Sequence, residues 1–160
     1  MDYKIVFDIF TEGYKSFIFV IFGILFILIG YFLQLNTKHK VKNISQKMKV
    51  WFANFYFWGS LLITVLLFLM LLVSYIIGCY LLMTEKYEVV EGIVTDFIPM
   101  PYSGHSYESF VVNGKRFSYS QYSMGPEFHH TKSHGGPIDQ GVQVRISYIN
   151  NKILRLEIAK

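Results

Sequence analysis

Three histidines in the C-terminal half, His129, His130 and His134, form an H-H-x-x-x-H cluster. Their imidazole nitrogens could hold zinc, with His105 or Glu108 completing the ligand set. The surrounding segment carries Gly135, Gly136 and Pro137, so no helix fixes ligand geometry there. The competing reading is solvated or hydrogen-bonded loop histidines. The cofactor expectation is therefore none, with zinc as the alternative. Ser103, His105, Ser106, Glu108 and Ser109 include the residue types of a hydrolytic triad, yet they crowd into one turn without a nucleophile elbow or oxyanion hole. No phosphate-cradling glycine loop, CxxC pair or HExxH motif occurs. The expectation is a protein that is not an enzyme, with no catalytic residue assigned.

A second chemistry is recognition. Tyr102, His105, Tyr107, Glu108, Tyr122, Met124, Phe128 and His129 fall in two irregular stretches, 99–109 and 120–141. Aromatic, Met and His side chains bury well at interfaces, and long loops on a compact scaffold often carry function. These eight residues are the candidate binding surface for a protein or an envelope component. Acidification would also make the region around them more positive, since unperturbed histidine titrates near pH ~6.5.

The elements that position these loops read as β-strands. Val89 to Ile98 is a β-rich run, and Phe110-Val-Val, Asn113-Gly114 and Lys115 to Tyr119 form a hairpin with a type I′ turn. Glu108 and Arg116 are expected to pair across it. Val142, Val144, Ile146 and Tyr148 alternate with polar residues, as do Leu154, Leu156 and Ile158. Five short antiparallel strands within residues 85–160 are expected to close into a small β-barrel-like domain of OB or SH3 type, because closure removes exposed edges. A flattened sheet on the membrane is the third option. Cys79 is the one cysteine, so no intramolecular disulfide supports this small core.

The first half of the chain is different. Residues 16–37 and 50–84 contain no Asp, Glu, Lys or Arg. Each exceeds the ~20 apolar residues that cross a hydrocarbon core of about 30 Å. The fold class expected is a membrane α + β protein, with a two-helix transmembrane hairpin carrying the β-domain. Residues 1–15 are read as a tail, 16–37 and 50–84 as transmembrane helices, 38–49 as a basic loop and 85–160 as the β-domain. Trp51, Trp58, Tyr75 and Tyr80 lie towards the span ends, where amphipathic rings prefer to sit.

The formal charge of +4 arises from 15 Lys+Arg against 11 Asp+Glu, and its excess is local. Lys38, Lys40, Lys42, Lys47 and Lys49 occupy the 38–49 loop without an acid, whereas residues 85–160 balance to zero. Lysine-rich short loops stay in the cytoplasm, so both termini are expected outside it. A neutral domain lacks the cationic face that nucleic acid needs, so no nucleic-acid partner is expected. Small residues sit at packing spacing: Ser16, Gly23 and Gly30 on the first helix, and Ser60, Thr64, Ser74 and Gly78 on the second. An antiparallel hairpin would place Gly30 at Ser60 and Thr64, and Ser16 at Ser74 and Gly78. The rival use of the same stripe is a homo-oligomer seam.

The stretch VEGIVTDFIPMPYSGHSYESFVVNGKRFSYSQY, followed by HGGPIDQGVQVRISY, resembles uncharacterised small bacterial membrane proteins that share V-E-G, G-H, E-S-F-x-V-N-G, F-x-Y-S, G-G-P-I and V-R-I-S-Y. The resemblance covers about the last half of the chain. It implies a protein of the bacterial cell envelope and brings no activity with it. The expectation is a protein of the bacterial inner membrane that displays a non-enzymatic extracytoplasmic binding or assembly module. The alternatives are an immunity-type protein against a membrane-acting toxin and a metal-dependent envelope enzyme.

Overall fold

The structure is a computed structural model that describes residues 2–37 and 43–160. Lys38, Lys40 and Lys42 of the basic loop lie outside the described residues. The elements run β1 (Tyr3–Asp8), α1 (Ile9–Glu12), a 3-10 turn (Gly13–Phe17), α2 (Ile18–Thr37), α3 (Ile44–Met83), β2 (Glu88–Ile98), β3 (Glu108–Val112), β4 (Lys115–Tyr119), β5 (Gln143–Ile149) and β6 (Lys152–Ala159), with a second 3-10 turn at Lys132–His134. Two compact units result. One comprises Met1–Ser16 with Ser74–Lys160, and the other is Phe17–Val73.

Within the second unit the two helices meet where side chains are smallest. A Cβ on Gly23 would lie 2.5 Å from Thr64 Oγ1, and one on Gly30 would lie 2.8 Å from Phe57 Cα. Gly30 therefore faces Phe57 rather than Ser60 and Thr64, so the expected register slides by three to seven residues. Gln34 Nε2 donates to Asn54 Oδ1 at 3.0 Å beside these contacts. Ser60 and Thr64 turn their hydroxyls inward, donating to the Phe57 and Ser60 carbonyls of their own helix. The stretch Ile9–Thr37 and the helix Ile44–Met83 are both long and apolar enough to cross a membrane. At 1.5 Å per residue α3 is about 60 Å long. It begins at Ile44, so Lys47 and Lys49 stand on its first turns and not in a loop. The backbone amide of Lys47 donates to the Asn43 carbonyl at 3.2 Å, starting the helix at a residue type that favours caps.

The first unit is a six-stranded antiparallel sheet ordered β1-β6-β5-β2-β3-β4. The sheet is open, which corrects the expected closed barrel. The reason lies in residues 3–8, read from sequence as part of a tail: they form β1 and occupy the β6 edge from Arg155 to Ala159. Further along β6 the Phe128 amide donates to the Ile153 carbonyl at 3.0 Å. A side chain bridges the gap, Asn151 Nδ2 donating to the Ser118 carbonyl at 2.9 Å.

The eleven-residue strand β2 pairs with β5 along Glu88–Ile93 and with β3 from Val94 onwards. An irregularity between Thr95 and Ile98 bends it, with Asp96 at φ 48°. The amide of Phe97 there finds Gln140 Oε1 at 3.0 Å. The core lies inside the bend. Val90, Val94, Phe110, Val112, Phe117, Val144, Ile146 and Leu156 are buried in it, and Phe117 meets Tyr148 edge-on at 5.0 Å.

The last turns of α3 belong to this core as well. Leu82 is buried in it, and Tyr75, Cys79 and Leu81 pack against it. Ile9, almost fully buried, fills the notch over Gly78. That contact replaces the expected pairing of Gly78 with Ser16, whose hydroxyl instead donates to the Gly125 carbonyl at 2.6 Å. Asp8 secures the approach: Oδ1 accepts from the Phe10 amide at 2.9 Å as an N-cap, and Oδ2 lies 2.7 Å from Arg155 Nε.

Candidate functional site

The hairpin β3–β4 sets the geometry of the candidate surface. Its two-residue turn pairs Val112 with Lys115, Phe110 with Phe117 and Glu108 with Tyr119. Alternation then points Glu108, Phe110, Phe117 and Tyr119 to the same inner side. Arg116 pairs in register with Val111 and is exposed, so the expected Glu108–Arg116 pair does not form. Glu108 is 0% exposed. Its Oε1 accepts from the Tyr119 hydroxyl at 2.7 Å, and its Oε2 accepts from the Lys132 backbone amide at 2.8 Å. Burial, and then this carboxylate, push the Tyr119 phenol well above its ordinary pKa.

Glu108 is thus a strut between the sheet and the long segment 120–141, and not a surface residue. The segment has its own hydrophobic anchors. Phe128 packs edge-on against Phe7 at 5.4 Å and Tyr119 at 5.2 Å, and Ile138 is fully buried. Phe128 is a second correction, because it is a core residue and not part of an exposed surface. The turn around Lys132 is closed by the Gly136 amide, which donates to the Thr131 carbonyl at 2.8 Å. Lys132 Nζ lies 2.7 Å from Asp139 Oδ2, and this pairing holds the Asp139 carboxyl below its usual range.

On this base the two loops converge at three rings. Tyr102 stacks on His134 with centroids 5.0 Å apart and planes 9° from parallel. Tyr122 meets the same imidazole edge-on at 6.3 Å. The Tyr122 ring lies over Gly104, where a Cβ would be 2.8 Å from Cε2; with φ of 77°, this position suits glycine on both counts. His134 Nδ1 is 3.1 Å from both Thr131 Oγ1 and Ser133 Oγ. Gln121 Oε1 accepts from the Thr131 amide at 3.0 Å. Tyr102 and Tyr122 remain 77% and 61% exposed despite these contacts. Rings held by stacking and hydroxyl contacts offer flat area with a hydrogen-bonding rim, which suits recognition.

Tyr107 and Met124 are exposed on the same segments, as is His105 at φ 65°. The histidine cluster does not converge on a point. His129 Nδ1 donates to the Glu127 carbonyl at 2.8 Å, and His130 Nε2 donates to the His134 carbonyl at 2.8 Å. Among the described residues no group of three His, Cys, Asp or Glu side chains is placed to hold a metal ion. His134, named from sequence as a candidate metal ligand, is the ring that joins the two loops. Its partners Thr131, Ser133 and Gln121 carried no sequence signal. Tyr119 did carry one, because a two-residue Asn113-Gly114 turn pairs it with Glu108.

Compared with known protein families, with curated proteins and with solved structures, the chain finds no match.

Proposed function

We propose that the chain is a bacterial inner-membrane protein. Its helix pair anchors a non-enzymatic β-module that binds a protein or envelope component outside the cytoplasm. The observation that carries the binding half is the Tyr102–His134–Tyr122 cluster, with both tyrosines exposed, held on a loop pair tied to the core by Glu108. Aromatic side chains that stay exposed while their backbones are fixed lose little entropy on binding, which is how hot spots are built.

The anchoring half is supported by the helices. Ile21, Phe22, Leu25, Phe32, Leu62 and Ile63 each remain more than half exposed, and water is a poor solvent for so much apolar area. The lysines at 38–49 favour a cytoplasmic position for the inter-helix segment, and hence an extracytoplasmic β-module.

The test is a photocrosslinking amino acid at Tyr102 in native membranes, with the exposed turn residue Asn113 as control site. The reading predicts a discrete adduct at Tyr102 that disappears with Tyr122→Ala or His134→Ala in folded protein. Equal labelling from Tyr102 and Asn113 contradicts it.

A further inference from the structure

A cavity of about 270 Å³ opens in the β-unit beside the last turns of α3. Ile9, Ile77, Leu81 and Leu154 form its apolar wall, while Glu127 and Lys152 stand among its lining residues with Asn150. The two charges lie 3.4 Å apart, with Lys152 half exposed and Glu127 largely covered. Asn150 sits at the β5–β6 turn with φ 55°. We propose that this cavity binds the headgroup of a phosphatidylethanolamine molecule. The phosphate would sit at Lys152 and the primary ammonium at Glu127. This inference rests on the reading of α3 as a membrane span.

Three observations lead there. The first is depth. The rings Trp51 and Trp58 near one end of α3 and Tyr75 and Tyr80 near the other bracket a length of about 34 Å between their midpoints at 1.5 Å per residue. That is close to the ~30 Å hydrocarbon core, so residues 74–81 fall at its polar boundary. The second is size. Pockets for whole drug-sized molecules run to about 300–1,000 Å³, so this one suits a headgroup whose chains lie elsewhere. The exposed side chain of Ile77, which lines the cavity, gives those chains an apolar surface there. The third is charge complementarity. An anionic headgroup would find a cation but also meet the Glu127 carboxylate, whereas a zwitterion satisfies both members of the pair. The ammonium of ethanolamine keeps N–H donors for that carboxylate.

The experiment uses the full chain in nanodiscs of equal phosphatidylethanolamine and phosphatidylglycerol, released into native mass spectrometry after carbonate extraction has scored membrane integration. The expected result is one phosphatidylethanolamine retained per chain, at least ~10-fold over phosphatidylglycerol, a difference of about 1.4 kcal/mol. Glu127→Gln should abolish that preference. Ile77→Trp, an exposed site that leaves the ion pair intact, should reduce retention of the adduct by filling the mouth. Equal retention of both lipids, no retained lipid, or an unchanged preference in folded Glu127→Gln overturns the site while the span reading stands. Release of the wild-type chain by carbonate overturns the span reading and the site together.

Discussion

Glu108→Ala tests the idea that one buried carboxylate ties the 120–141 segment to the sheet. The wild-type carboxylate accepts from the Tyr119 hydroxyl at 2.7 Å and from the Lys132 amide at 2.8 Å, and it is inaccessible to solvent. A hydrogen bond to a charged group contributes about 1.5–3 kcal/mol, and removing the acceptor strands both donors. Taking ~2 kcal/mol for the Lys132 bond, local opening of the 131–136 turn should become about 30-fold more frequent. Amide hydrogen exchange of the full chain in detergent reads this directly. The Lys132 amide should exchange about 30-fold faster, while Ile146 in the middle of β5 keeps its protection. Tyr119→Phe separates the two halves of the strut, since it removes the hydroxyl donor and leaves the Lys132 acceptor, so Lys132 exchange should change less than in Glu108→Ala. An unchanged exchange rate at Lys132 in folded Glu108→Ala would refute the strut, because the turn would then be held by other contacts.

Further expectations concern the helix pair, the β1 edge and alkaline pH. Gly23→Leu and Gly30→Leu should each lower the thermal midpoint in detergent, at an overpacking cost of about 1–3 kcal/mol, because Thr64 and Phe57 already fill the space. Gly59→Leu, where nothing lies within 4 Å, should not; equal effects at all three positions would contradict the contact map. Arg155→Ala leaves Asp8 without its cation in a site only partly open to water, and should cost about 1–3 kcal/mol with faster exchange across residues 3–8. Unaltered exchange there would show that the ladder with β6 suffices to hold β1. The raised Tyr119 pKa favours the neutral phenol in the folded state, so its contribution is fully present below the unfolded value of about 10 and is lost as pH rises above it. Chemical denaturation should show stability falling above pH ~10, with a shallower fall in Tyr119→Phe; identical slopes would remove Tyr119 as the cause.

Much of the architecture was legible because it follows from local rules. Uncharged runs marked both long helices, a β-rich run marked β2, and period-two alternation marked β5 and β6, each strand within a residue or two of its ends. Asn113-Gly114 located the β3–β4 turn. The same turn rule, carried two pairs further, places Tyr119 opposite Glu108 and excludes Arg116, so that error was one of register and not of missing information. The open sheet was not legible in this way. It depends on β1 pairing with β6, more than 140 residues away in sequence, and residues 3–8 have too short a pattern to announce such a partner. Phe128 looked like an interface residue because it lies in a loop, yet its ring reaches Phe7 on that same distant strand. The helix register also escaped, since Ile9 claims Gly78 from outside the two apolar runs.

The most direct test of the account is the side of the membrane on which the β-module stands. Alkaline phosphatase fused after Lys160 should be active in intact bacterial cells, and green fluorescent protein at the same position should stay dark. A dark phosphatase with a fluorescent partner fusion would place the Tyr102–His134–Tyr122 surface in the cytoplasm and contradict the proposed role.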